Sequence, residues 1–140
     1  MSIITLGVAD VAAARRFYED LGWRGQEVDE TVFFQAGGLA IVLWSRAKLA
    51  ADAGIADDGA AFGGIALAHN VRTFEEVDDT IRRAVAAGAR DVTEPADTFY
   101  GGYAGYFRDL DGHLWEVACN PGIPLADDGA FVVPPFDAAT

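Results

Sequence analysis

The chain has 140 residues, half of them apolar, and a formal net charge of −12. That length suits one domain with a real core, and the charge argues against nucleic acid or an anionic membrane as partners. No apolar run approaches a membrane span, and the single cysteine, Cys119, excludes an intrachain disulfide and a thiolate zinc cluster. The first ten residues lack the basic segment and cleavage site of a secretory signal, so a cytoplasmic location is expected. The acid excess favours a cationic ligand only weakly, because Asp57-Asp58, Glu75-Glu76 and Asp127-Asp128 read as solvated surface.

In chain order, residues 3–8 form a short β-rich run. Asp10 is a good N-cap, and Val11, Ala14, Tyr18 and Leu21 recur at helical spacing. Gly22 is placed to end that helix. Three strands are expected next, near residues 24–28, 31–35 and 39–44, with Gly37-Gly38 as the last hairpin turn. A helix-prone piece at 46–53 then loosens into a glycine-rich linker.

The order then repeats. Residues 65–68 read as a strand, and Thr73-Phe74-Glu75-Glu76 has capping-box form. Val77, Ile81, Ala84 and Val85 mark one helix face, closed by Gly88. Strands are expected near 90–93, 103–108 and 113–119, the last two joined by a turn at Asp109-Leu110-Asp111-Gly112. Residues 131–133 suggest a short edge strand in a frayed tail. The whole reads as a single domain over 1–140: a βαβββ module at about 1–45, a linker over 46–62, a second module at about 63–119, and a tail over 120–140. A four-stranded sheet with one helix on its outer face leaves its concave face uncovered. Sites are then expected at residues facing inward from both modules.

This pattern resembles the vicinal oxygen chelate superfamily, the fold group of glyoxalases, bleomycin-resistance proteins and extradiol dioxygenases. The resemblance rests on Leu6-Gly7-Val8-Ala9-Asp10, Arg16-Phe17-Tyr18, Leu21-Gly22-Trp23, Ala87-Gly88-Ala89 and the run from Gly105 to Glu116. It implies an α+β fold of two βαβββ modules forming curved mixed sheets around a concave cleft, and a homodimer. It also implies a divalent metal held from the first and last strands of each module. In this chain those positions are Ile3, Val42, Gly64 and Glu116, and only Glu116 can ligate. A zinc, nickel or iron site needs about three protein ligands, so neither a metal nor another cofactor is expected.

Glu116 stands in an otherwise apolar strand, where a carboxylate is costly to bury alone. It is read either as a cavity acid that binds a ligand or as a general base. His69 has the wrong strand parity for the site and is expected to face away. His113 and Cys119 lie six residues apart, roughly 20 Å along a strand, so they form no dyad. The loop Phe99-Tyr100-Gly101-Gly102-Tyr103 is unusually rich in rings, which suit planar or cationic molecules. The reading is a metal-free protein that binds a small aromatic or cationic molecule in a cleft lined by Phe34, Trp44, Tyr103, Tyr106 and Glu116, sequestration of the bleomycin-resistance type being one version. The alternative is a superfamily enzyme (lyase, isomerase or dioxygenase-like) with an atypical metal site or with Glu116 as base. A third reading, a purely structural domain, predicts no cavity at all.

Overall fold

The computed structural model describes residues 1, 3–54, 56–59, 62–63 and 65–133. The first module runs β1 (Ile3–Val8), α1 (Val11–Asp20), β2 (Gly25–Val28), β3 (Thr31–Ala36) and β4 (Leu39–Ser45). A short α2 (Arg46–Ala53) follows, and then the second module: β5 (Leu67–Asn70), α3 (Phe74–Ala87), β6 (Ala96–Asp97), β7 (Tyr103–Arg108) and β8 (Leu114–Cys119). Each module builds one four-stranded sheet, ordered β1-β4-β3-β2 and β5-β8-β7-β6, in which the first strand pairs parallel to the last.

Local chemistry sets the helix limits. The Asp10 carboxylate accepts from the Ala13 amide at 3.0 Å, satisfying one orphan donor of α1. At α3 the capping box is complete: Thr73 Oγ1 accepts from the Glu76 amide, and Glu76 Oε2 accepts from the Thr73 amide. Ser45 caps α2 through the Lys48 amide, and α2 spans the helix-prone piece read from the sequence.

Three expected strands differ. The first strand of the second module lies at Leu67–Asn70 rather than 65–68. Its rungs begin with Leu67 opposite Trp115, and β8 starts only at Leu114, so Ile65 has no rung to join and is exposed. The strand expected at 90–93 reduces to a bridge between Arg90 and Arg108, with Thr93 donating to the Tyr106 carbonyl. Asp91, at φ +49°, accounts for this: three residues on this side span two on β7, which is a bulge. Pairing resumes at Ala96–Asp97. Residues 131–133 form no strand, and residues 134–140, like Gly64, lie outside the described residues.

Strand alternation gives each sheet two unlike faces. Leu6, Val8, Val32, Phe34, Ile41 and Leu43 point one way in the first sheet, as do Phe107, Trp115 and Val117 in the second. These faces join Phe17 and Tyr18 of α1 and Val77, Ile81 and Ala84 of α3 in one shared core. α1 packs directly on α3, so the modules meet on their helix sides. The opposite faces are more open: Phe33 and Tyr106 are exposed there, although Val42 and Ala118 are buried.

Candidate functional site

The β7–β8 turn locks the modules together. Asp109 is buried, and its Oδ1 accepts from the amides of Asp111 at 3.0 Å and His113 at 2.9 Å. Its Oδ2 accepts from the Tyr18 hydroxyl on α1, and that hydroxyl accepts in turn from Trp115 Nε1 at 3.1 Å. Burial, and then the Asp109 charge, push the Tyr18 phenol well above its ordinary range, so it stays a donor. Asp111 Oδ1 accepts from the Ala9 amide at 2.7 Å, and His113 Nε2 lies 2.8 Å from the Gly7 carbonyl. The turn that the sequence marks as a hairpin corner is therefore also the clasp between modules. No local signal announces this, because the partners lie far away in sequence.

On the open face of the second sheet, Tyr106 and Glu116 are directly opposed across β7 and β8, and the Tyr106 hydroxyl donates to Glu116 Oε2 at 2.7 Å. That bond is the main reason the phenol is held above its ordinary value. No other hydrogen bond to Glu116 is present among the described residues. Ala68 on β5 is its other cross-strand neighbour. The open face of the first sheet carries Phe33, Val42 and Trp44, the last opposite Gly7 on β1.

Of the five residues expected to line a cleft, Trp44, Tyr106 and Glu116 lie on open faces. Phe34 does not: its ring is 2 % exposed in the core, 5.8 Å from Tyr18 and 5.6 Å from Trp23. Its neighbour Phe33, 38 % exposed, takes the open position. The sequence holds the signal, since polar Thr31 and Gln35 share parity with Phe33 and mark the outward side. Tyr103 is also misplaced by parity. It sits three residues from Tyr106, an odd step, and turns toward α3, where it stacks on Phe74 and donates to Asp78 Oδ1 at 2.7 Å. His69 faces the core side against Trp23, and burial lowers its basicity.

The four metal positions implied by resemblance do not make a donor set. Val42 opposes Thr5 and Phe33, Ile3 opposes Ala40, Glu116 opposes Ala68 and Tyr106, and Gly64 has no side chain to offer. Among the described residues no group of three His, Cys, Asp or Glu is placed to hold a metal. The residues present do not fit the ion that metal-dependent enzymes of this fold use.

A separate groove of about 960 Å³ runs between the edges of β1 and β5, lined by Thr5, Arg46, Phe62, Arg108, His113 and Leu114 among others. Two of its arginines are paired with acids: Arg46 with Asp57 at 2.8 Å and Arg108 with Asp91 at 3.3 Å. None of the five expected residues lines it. No helix among the described residues is long and apolar enough to cross a membrane.

Comparison with known proteins agrees with this architecture. Among curated proteins none matches. A glyoxalase-related enzyme from Fulvimarina pelagi is 38% identical, with 95% of this chain and 96% of that one covered and a TM-score of 0.87. A lactoylglutathione lyase from Agrobacterium tumefaciens (24% identity, 85% and 92% covered, TM-score 0.62) shares the fold. So does the fosfomycin resistance protein FosX from Listeria monocytogenes (24% identity, 86% and 92% covered, TM-score 0.66). The family model for glyoxalases, bleomycin resistance proteins and dioxygenases matches residues 1–117. With two βαβββ modules in place and that match spanning both, the chain belongs to the Glyoxalase/Bleomycin resistance protein/Dioxygenase superfamily.

Proposed function

We propose that the protein binds a small aromatic or cationic molecule on its open sheet faces without a metal ion. The observation that carries this reading is the Tyr106–Glu116 pair: a carboxylate anchored by one phenol, at the position where the fold's metal enzymes place a ligand, with no metal-holding group of three His, Cys, Asp or Glu among the described residues. Trp44 and Phe33 offer a complementary ring surface on the first sheet. A homodimer fits the same reading, with a second copy covering faces on which Phe33 and Tyr106 are each more than a third exposed. The alternative is an enzyme using Glu116 as general base, and likeness to the glyoxalase-related enzyme from F. pelagi favours testing it.

The test is thermal denaturation against a panel of aromatic, cationic and mixed compounds, with hits repeated on Tyr106→Phe and Glu116→Gln. Stabilisation of the parent protein that weakens in both variants is expected. A panel that shifts nothing, or shifts that ignore both substitutions, would sink the proposal. A turnover that disappears in Glu116→Gln would replace binding with catalysis.

A further inference from the structure

The aromatic loop before β7 is not used by the module clasp or by the shared core. Thr98 and Gly102 close it: the Thr98 amide donates to the Gly102 carbonyl at 2.9 Å, and Thr98 Oγ1 accepts from the Gly102 amide at 2.9 Å. Gly102 is buried just before β7. A Cβ there would lie 2.6 Å from Cε2 of Tyr100, 2.7 Å from the Cys119 carbonyl oxygen and 3.1 Å from Thr98 Oγ1. The missing side chain therefore lets the edge of the Tyr100 ring lie against Gly102, two residues before Ala104. Phe99 braces it edge-on at 5.2 Å between ring centroids and is itself fully exposed. The Tyr100 phenol is near enough to Tyr106 to act on its ionisation.

The residues between the two tyrosines are small. Ala104 lies opposite Ala118, and Ala68 lies beside Glu116. Small residues thus lie beside the Tyr106–Glu116 pair, with Tyr100 against Gly102 on the same side of the hairpin's start. Glu116 spends one oxygen on Tyr106. Two electron-rich rings and one carboxylate, with no basic side chain bonded to that carboxylate, describe a receptor for an organic cation. A neutral aromatic would gain from the rings but would bring no charge to match the carboxylate.

We infer that Tyr100, Tyr106 and Glu116 form a subsite for an organic ammonium group, with the 98–102 loop as its outer wall. This rests on the binding proposal above and narrows it from aromatic or cationic to cationic. It also adds Tyr100 to the site. The net charge of −12 works in the same direction by raising the local concentration of cations.

The test uses the full chain and two matched pairs of probes: choline with its neutral isostere 3,3-dimethylbutanol, and benzyltrimethylammonium with neopentylbenzene. Binding is followed by amide chemical-shift titration at low and moderate salt. Each ammonium should give saturable shifts in β7, β8 and the 98–102 loop, and each neutral isostere should bind about tenfold more weakly or not at all. Tyr100→Leu, a substitution in an exposed loop, should weaken ammonium binding about threefold to tenfold. Glu116→Gln keeps the shape of the side chain and should weaken it at least as much, and also remove the salt dependence. Saturable binding of the neutral isosteres equal to that of the cations would overturn the cationic subsite while leaving the broader binding proposal standing. Cation binding unchanged in Tyr100→Leu would remove Tyr100 from the site. Absence of saturable shifts with all four probes overturns the subsite, and the wider compound panel then decides the broader proposal separately.

Discussion

The two modules repeat one plan, and their final hairpins show where the repeat stops. In the first module, β3 and β4 are joined at Gly37-Gly38, and a Cβ added to either glycine would meet nothing within 4 Å. In the second, β7 and β8 are joined at Asp109–Gly112, which reaches α1, the end of β1 and the following amides at once. One turn only reverses the chain; its counterpart also fastens the other module. The open faces diverge in the same way. The first sheet presents Phe33 and Trp44, whereas the second presents Tyr106 and Glu116. Repetition supplies the architecture, and the departures from it supply the junction and the chemistry.

The sharpest way to break this comparison is Asp109→Ala. It leaves the buried Tyr18 hydroxyl and two amides without their acceptor, and should cost about 3 kcal/mol or more in urea denaturation, a large share of a typical domain's stability. A loss near zero would mean that the clasp is incidental. His113→Ala removes one bond to the Gly7 carbonyl and should cost about 1 kcal/mol. In the first module's turn, Gly37 has φ +60°, so Gly37→Ala should also cost about 1 kcal/mol, through backbone conformation alone. Gly38→Ala, with open space and no positive φ, should change stability by less than about 0.5 kcal/mol.

A pH series sharpens the junction further. His69, packed on Trp23 between the modules, is made less basic by burial, against a smaller opposing pull from Glu76. Its folded value therefore lies below the ordinary 6.5. Below that pH the unfolded chain binds the proton more readily, so the stability contribution of neutral His69 is full above it and falls as the pH drops toward the folded value. Denaturation midpoints of the parent protein should decline faster over this range than those of His69→Gln. Parallel curves would contradict the assignment.

The sequence makes the repeat legible because capping residues and helical periodicity are local signals. Asp10, Thr73 with Glu76, and the glycines after each main helix place the elements closely. The strand faces are harder to read. Phe33 and Phe34 are adjacent and chemically alike, and only the polar pair Thr31 and Gln35 tells which ring turns outward. Tyr103 and Tyr106 look equivalent until their odd spacing is set against strand alternation. The bulge at Asp91 has no hydrophobic signature, so residues 90–93 read as a continuous strand. Glu116 is legible as a mid-strand acid, but its partner Tyr106 is fixed only by register. The clasp is the least legible feature, since Asp109 satisfies the ordinary demands of a turn without reference to Tyr18.

The long reach of the clasp bears on how quickly the chain finds and leaves its native state. Its bonds join residues 91 to 106 positions apart, whereas the hairpins and helices close locally. Ring closure over such spans should come after the modules have largely formed, so the clasp should be weakly developed at the rate-limiting barrier. Stopped-flow measurements on Asp109→Ala should then show unfolding accelerated and refolding little changed. Refolding slowed in proportion to the lost stability would instead place the clasp in the nucleus. On the expected outcome, one turn in the second module sets the lifetime of the folded protein while leaving its speed of assembly to the repeats.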